Sequence, residues 1–382
     1  ISIRDIQIQR RENDLVAASF GRGFFVMDDY TALRDIDPSD FDAGAALFAP
    51  RDAYWYFQKR PLGYRPKGSQ GDSLYLAENP PFGSVFTYYL ADSFKTQEQA
   101  RQAGEAAAKK AGDDVSFPGW RQVTDETREQ KPDVMLVVHD NDGNVLRRVS
   151  APNKAGLNRV AWDLRRSFSG PVETGKNWRG DSPSGFMVMP GSYQAKLVVV
   201  QNGVEQTLAG PVDFNVKRLR EGALPGSSLD ELEAFTAELN TLYGQSSAVR
   251  YAIRDARKSL DKIATMIERM ANPTPDTHAQ VHELRRELYD IEETVFGNDV
   301  QADIGGYEPM NVSSWLGHAM RGVSNSSYGP TPSHKQSVEH AKTVFEPAKR
   351  RLDDVVQKRL PALREALRDA GAPWTVGEPI AE

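Results

Sequence analysis

The residues of this chain able to do chemistry are few and scattered. Asp140-Asn-Asp-Gly-Asn144 sets side-chain oxygens at Asp140, Asp142 and Asn144, alternating as at the start of a calcium loop. The bidentate glutamate such loops use downstream is missing, and Asp142-Gly143 between two apolar runs is itself a hairpin signal. His278 and His282 lie four apart, so they share one helix face, with Glu283 beside them. A zinc site there would need a third ligand that the spacing does not supply. His-Glu-x-x-His, Gly-x-Gly-x-x-Gly, Walker and Gly-x-Ser-x-Gly patterns are absent, and Gly21-Arg22-Gly23 is too short for a phosphate loop. The adjacent carboxylates Asp28/Asp29, Asp113/Asp114 and Glu292/Glu293 face opposite ways on a strand, or about 100° apart on a helix, so neither arrangement makes an acid–base pair. Carboxylates brought together by the fold stay open. With no cysteine, thiolate nucleophiles, disulfides, Cys-zinc sites and iron–sulfur clusters are excluded. Catalytic residues are therefore unknown, and no cofactor or metal is expected.

Aromatic residues offer the other candidates. Tyr54-Trp-Tyr-Phe57 is either a covering segment packed between domains or, if two rings face solvent, a platform for stacking sugars. Trp315, His318 and Tyr328 sit in Gly297–Ser333, a Gly-, Ser-, Asn- and Pro-rich stretch that reads as a long loop. Loops of that size are often functional. Tyr54, Trp55, Tyr56, Trp315, His318 and Tyr328 form the candidate ligand or partner surface.

The elements that must position these residues fall into four regions. Ile3–Ile8, Leu15–Phe20 and Phe24–Met27, turning at Gly21-Arg22-Gly23, predict strands over 1–34 that cannot bury their faces alone. Residues 35–73 read as an irregular covering linker. Seven period-two runs follow within 74–220, at 85–90, 134–138, 144–149, 159–164, 193–200, 205–208 and 212–216, with turn chemistry at Asp142-Gly143, Pro190-Gly191 and Asn202-Gly203. They predict an Ig- or fibronectin-III-like β-sandwich with Trp162 at its core and a helical insertion at 95–131. Residues 228–372 read as a helical bundle. Ser228 with Glu231 makes a capping box. Val249, Ile253, Ala256, Leu260, Ile263, Ile267 and Met270 form one seam; Val281, Leu284, Leu288, Ile291 and Val295 form another. Val338, Ala341, Phe345, Ala348, Leu352, Val356, Leu360, Leu363 and Leu367 give a long last helix, expected to kink or break at Pro347 and Pro361. The expected arrangement is an antiparallel four-helix bundle.

Lys and Arg number 47 against 53 Asp and Glu, a net charge of −6, so nucleic acid is not an expected partner. All of the excess sits in 228–382, which holds 18 basic and 24 acidic residues against 29 of each in 1–227. No apolar run approaches the ~18–20 residues that cross a bilayer. The chain begins at Ile1 and is expected to be a processed or excised piece of something longer.

Arg4-Asp-Ile-Gln-Ile8, Arg11-Glu-Asn-Asp-Leu-Val16 and Phe20-Gly-Arg-Gly-Phe-Phe-Val-Met-Asp-Asp29 resemble the closing blade of large bacterial proteins with sortilin-like (BNR/YVTN-type) β-propellers. Asn79-Pro-Pro-Phe-Gly83, Phe86–Leu90, Gly156–Arg165 and Pro190-Gly-Ser-Tyr193 extend the resemblance over most of the chain. Family members are often labelled glycosyl hydrolase or sialidase-like, but the sialidase Asp-box, Ser-x-Asp-x-Gly-x-Thr-Trp, does not occur here. The resemblance implies a non-catalytic supporting and interaction region of a secreted or cell-envelope protein, whose first partner is its own upstream propeller. Two alternatives are an accessory part of a glycan-acting hydrolase with its active site on the propeller, and a peptide- or protein-binding receptor region by analogy with sortilin. Were the full protein an enzyme, glycoside hydrolysis is the first expectation.

Overall fold

The computed structural model describes residues 1–58, 79–172, 184–271, 273, 275–307 and 309–374. The fold is mixed α+β, with several sheets and a large helical part. It divides into two compact units, Ile1–Ser167 with Met187–Glu221, and Phe168–Phe186 with Gly222–Glu382.

In the first unit β1 (Ile3–Gln9), β2 (Asp14–Ser19) and β3 (Phe24–Met27) form an antiparallel sheet in that order. Its register sets Ile6 beside Ala17 and Phe25, and Ile8 beside Leu15 and Met27. Side-chain alternation therefore gathers six apolar residues on one face. Ile6, Ile8, Phe25 and Met27 on that face are 55%, 50%, 46% and 40% exposed. The opposite face carries Val16, Ala18, Phe24 and Val26, and Phe24 and Val26 are exposed too.

A short helix, α1 (Thr31–Asp35), and a 3-10 turn lead to β4 (Ala45–Leu47) and β5 (Ala53–Trp55). The irregular linker expected over 35–73 is thus corrected. β4 pairs with β6 (Ser84–Leu90), and β5 pairs in parallel with the last strand of the unit, so this stretch supplies two sheet edges. Strands of three residues are too short to show a period-two pattern. Residues 59–73 of that expectation lie outside the described residues.

The remaining elements of this part of the chain are α2 (Gln97–Ala111), α3 (Trp120–Arg128), β7 (Asp133–His139), β8 (Val145–Ser150), β9 (Gly156–Trp162), β10 (Arg165–Ser167), β11 (Ser184–Met187), β12 (Gly191–Gln201) and β13 (Val204–Arg218). One sheet runs β4-β6-β9 and another β5-β13-β12-β7-β8. The segments read as separate strands at 205–208 and 212–216 are one long strand, β13, whose register against β12 shifts on either side of Leu197. Phe86 of the first sheet meets Phe214 of the second edge-to-face at 5.1 Å, and Trp162 meets Phe214 at 5.9 Å. The two sheets therefore share a core, with Phe86, Tyr88 and Trp162 fully buried in it. The Trp162 indole N–H is satisfied by the Arg165 carbonyl at 2.9 Å.

Helices α2 and α3 fill the 95–131 insertion. Helix α2 starts in a capping box between Thr96 and Gln99 and ends at Gly112 in the left-handed region, and it buries no residue. Its tie to α3 is polar: the Arg101 guanidinium donates to both oxygens of Glu126 and to Glu105. Those bonds hold the Glu126 carboxyl below its usual range.

The second unit is helical. The helix expected to start at Ser228 and the next helix, expected to carry the Val249–Met270 seam, are one, α4 (Leu229–Glu268), of 40 residues and about 60 Å. Next come α5 (Pro275–Phe296), α6 (Asp299–Asp303), α7 (Val312–Ser324), α8 (Pro332–Asp354) and α9 (Leu360–Asp369). The long loop expected over 297–333 is corrected by α6 and α7. Asn311 caps α7 by accepting from the Ser314 amide at 2.9 Å. Val312, Leu316, Ala319 and Val323 are buried at spacings of four, three and four, a seam masked by the surrounding Gly, Ser and Asn. Helix α7 packs on α4, α5 and α8. Ion pairs fix directions: Arg257–Glu292 and Asp261–Arg285 make α4 and α5 antiparallel, as Glu287–Arg351 and Glu283–Arg359 do α5 and the α8–α9 rod. Glu231–Lys335 and Glu238–Lys342 run in step, so α4 and α8 are parallel.

Helix α8 continues through Pro347, so of the kink or break expected there the break is corrected. Thr343, four residues earlier, is exposed, so water can take the carbonyl that the proline leaves unbonded. Before Pro361 the rod changes to a π turn over Val355–Arg359. That turn inserts one residue into the seam, burying Val355, not the expected Val356, before Leu360. Val355→Ala should therefore lower stability by about 2 kcal/mol, and Val356→Ala by well under 1 kcal/mol, in denaturant titrations. Equal costs would mean that the seam runs without the inserted residue.

Candidate functional site

A cavity of about 510 Å³ opens in the first unit, where the β1–β3 sheet meets the residues around β5, β6 and β9. Its walls include Glu12, Asp14, Asp28 and Asp29 from the ends of the sheet strands, Arg51, Tyr54 and Tyr56 around β5, Asn79 and Phe82, and Arg159 from β9. Alternation along β5 explains the aromatic part. Trp55 points into the core, 2% exposed, with its indole N–H donating to the Val188 carbonyl at 2.8 Å. Tyr54 and Tyr56, on either side of it, line the cavity. Phe82 meets Tyr56 edge-to-face at 5.1 Å.

Local backbone demands set the polar part. Gly83 has φ +106°, and a Cβ there would stand 1.9 Å from the Trp162 carbonyl oxygen, so the Asn79–Gly83 segment can lie against β9 only with glycine at its end. Asp29 has φ +45°, a conformation most residues avoid. Backbone and side-chain contacts hold it there. Its amide donates to Asp14 Oδ1 at 3.0 Å, its carboxylate accepts from the Thr31 amide at 3.2 Å, and its carbonyl accepts from Arg159 Nη2 at 2.6 Å. Arg159 Nη1 donates to the Asp28 carbonyl at 2.7 Å. Arg51 bridges Glu12 and Asp29, the latter at 3.4 Å, and lies over the Tyr54 ring at 5.8 Å. Partly exposed rings beside shared hydrogen-bonding groups can take the apolar face and the hydroxyls of a sugar-like ligand.

No family model, curated protein or solved structure matches the chain.

The other candidates do not line this cavity. Asp140 caps a tight turn: it accepts from the amides of Asp142 and Asn144 and from the Asn144 side chain, at 3.1, 2.8 and 3.1 Å. Burial raises its pKa, but those bonds and Arg166 outweigh it and hold the carboxyl below its usual range. His278 and His282 are exposed on α5, and Glu283 is engaged with Arg359. No group of three His, Asp or Glu among the described residues is placed to hold a metal ion. Trp315 stacks on His340 at 5.6 Å, and His318 bonds Ser337 at 3.0 Å, both between α7 and α8; Tyr328 is exposed just beyond α7. Sequence reading found Tyr54 and Tyr56 but missed Arg51, Arg159, Glu12 and Asp14. Glu12, Asp14 and Arg159 lie in segments that carry the family resemblance and Arg51 does not, but nothing in sequence spacing joins Arg159 to Asp28.

Arg159→Ala should free the Asp28–Thr31 turn. Amide exchange there is expected to rise about tenfold, the equivalent of about 1.4 kcal/mol, with strands β6 and β9 unchanged. Unchanged exchange at the turn would show that the arginine does not hold it.

Proposed function

We propose that this chain is a non-catalytic supporting and interaction region of a secreted or cell-envelope β-propeller protein. In this reading β1–β3 are strands of a blade, the two facing sheets an Ig-like sandwich with a helical insertion, and α4, α5, α7 and the α8–α9 rod a four-helix bundle. One observation carries it: the β1–β3 sheet presents apolar side chains on both faces, and four of those on the six-residue face, Ile6, Ile8, Phe25 and Met27, stay about half exposed. A propeller blade, typically of about four strands, is covered on both faces by its neighbours, which is the environment such a sheet requires. Hydrogen exchange of the complete open-reading-frame product tests this. Protection of the β1–β3 amides should be at least 100-fold greater there than in the 382-residue chain; equal protection would overturn the reading.

A second reading, an accessory glycan site, is favoured by Tyr54 and Tyr56 sharing the cavity wall with Arg51 and Asn79. Loss of either ring should weaken sugar binding at least tenfold on a glycan array probed with the complete protein and its Tyr54→Ala and Tyr56→Ala variants. Absence of any array signal would end it.

A further inference from the structure

Helix α8 begins with an unusual cap. Thr331 is its N-cap and His334 stands where Glu or Gln usually completes a capping box. The Thr331 amide donates to His334 Nδ1 at 3.1 Å, and the His334 amide donates back to Thr331 Oγ1 at 3.4 Å. An amide can donate only to a bare ring nitrogen, so the cap requires His334 to be neutral with its proton on Nε2. Its neighbour has the opposite tautomer. The single hydroxyl proton of Ser337 goes to the Ser333 carbonyl at 2.9 Å, so His318 Nδ1, 3.0 Å from the Ser337 oxygen, must be the donor. A proton on His334 Nδ1 would take the place of the bond from the Thr331 amide.

We propose that His334 is an acid-sensitive latch on the α7–α8 connection, whose protonation breaks the α8 cap and releases the segment tied to it. The ring has little room to turn away. It lies 4.8 Å from the His318 ring, and a Cβ at Gly322 of α7 would stand 2.3 Å from it. Positive charge there would also meet the positive end of helix α8. The charged neighbours offer no relief. From α7 come His318 and Arg321; on α8, Lys335 is bound to Glu231 of α4, and His340 is stacked on Trp315. From α5, Asp290 and Glu293 reach α8 beside Val344, ten residues further on. Burial and then His318 hold the His334 pKa below its usual value. Stability from the cap is thus complete above about pH 6.5 and falls as pH drops from there toward the lowered value.

The released segment has a definite attachment. The Ser227 amide donates to the Tyr328 carbonyl at 2.9 Å, Gly226 packs against the same carbonyl, and Gly329 packs against Ser227. The latch thus holds the residues that enter α4.

The test is hydrogen exchange of the whole chain at pH 7.5 and pH 5.0, corrected for intrinsic rates, with an NMR titration of the His334 ring. Protection at Ser227 and over Tyr328–Ser337 should fall at least tenfold at pH 5.0. In His334→Gln, which keeps an acceptor that does not titrate, it should not fall. An equal fall in that variant, no fall in the unaltered chain, or a ring that titrates at or above pH 6.5 would each overturn the proposal. Since the titration needs no substitution, a variant that fails to fold leaves the test intact.

Discussion

Burial of large apolar side chains holds each unit of this protein together, and the β1–β3 sheet is where that burial is left unfinished. Ile6, Ile8, Phe25 and Met27 share one face and remain about half exposed. At ~1.5–3 kcal/mol for full burial of each, roughly 3–6 kcal/mol of stabilisation is unrealised. That is comparable with the whole stability of many domains, about 5–15 kcal/mol. The contacts from Arg51 and Arg159 work on a smaller scale, about 1 kcal/mol each at partly exposed positions. They fix the end of the sheet at the Asp28–Asp29 turn without covering its face. Polar contacts therefore set where the sheet stands, and its apolar faces set what it still needs.

The helical unit shows the complementary case. Its seams close on one another, leaving Leu239, Ile253, Leu260, Leu288, Ile291 and Phe345 with no exposed surface. The ion pairs along its rim record helix directions more than they supply stability, because exposed pairs contribute about 0–1 kcal/mol. The π turn before Pro361 follows from the same priority. A proline in a strict α-helix leaves a carbonyl unbonded, and a one-residue insertion shifts the register so that Val355 and Leu360 both stay in the core. Packing is kept and hydrogen-bond regularity yields.

What could be read from the sequence was whatever repeats. The seams of α5 and the later part of α4, the alternation in β6, β7 and β12, and Trp162 as a core aromatic all follow from periodicity over many residues. Short elements escaped. Strands β4 and β5 have three residues each, and α7 hides a clear seam among residues that favour loops. The join between the two helices expected after Ser228 was missed for a related reason. No seam was read between Ser228 and Val249, where Gly244 packs against Ser169 and a Cβ would stand 3.0 Å from the Ser169 carbonyl oxygen. The cavity was legible only in its aromatic half, since Tyr54 and Tyr56 are two apart and must share a face. Arg51, Glu12 and Arg159 come together through tertiary packing, which no local spacing encodes.

The state of those polar groups bears on what the cavity can accept. Arg51 already engages Glu12 and Asp29, and Asp14 already accepts from the Asp29 amide. A cationic ligand would have to compete with Arg51 at Glu12 and Asp29, but not at Asp28, where Arg159 binds the carbonyl and not the carboxylate. A neutral ligand rich in hydroxyls can donate to the lone pairs that remain on those oxygens and lay an apolar face on Tyr54 or Tyr56, leaving the ion pairs intact. A hydroxyl can therefore share these groups while the contacts that fix the sheet stay in place.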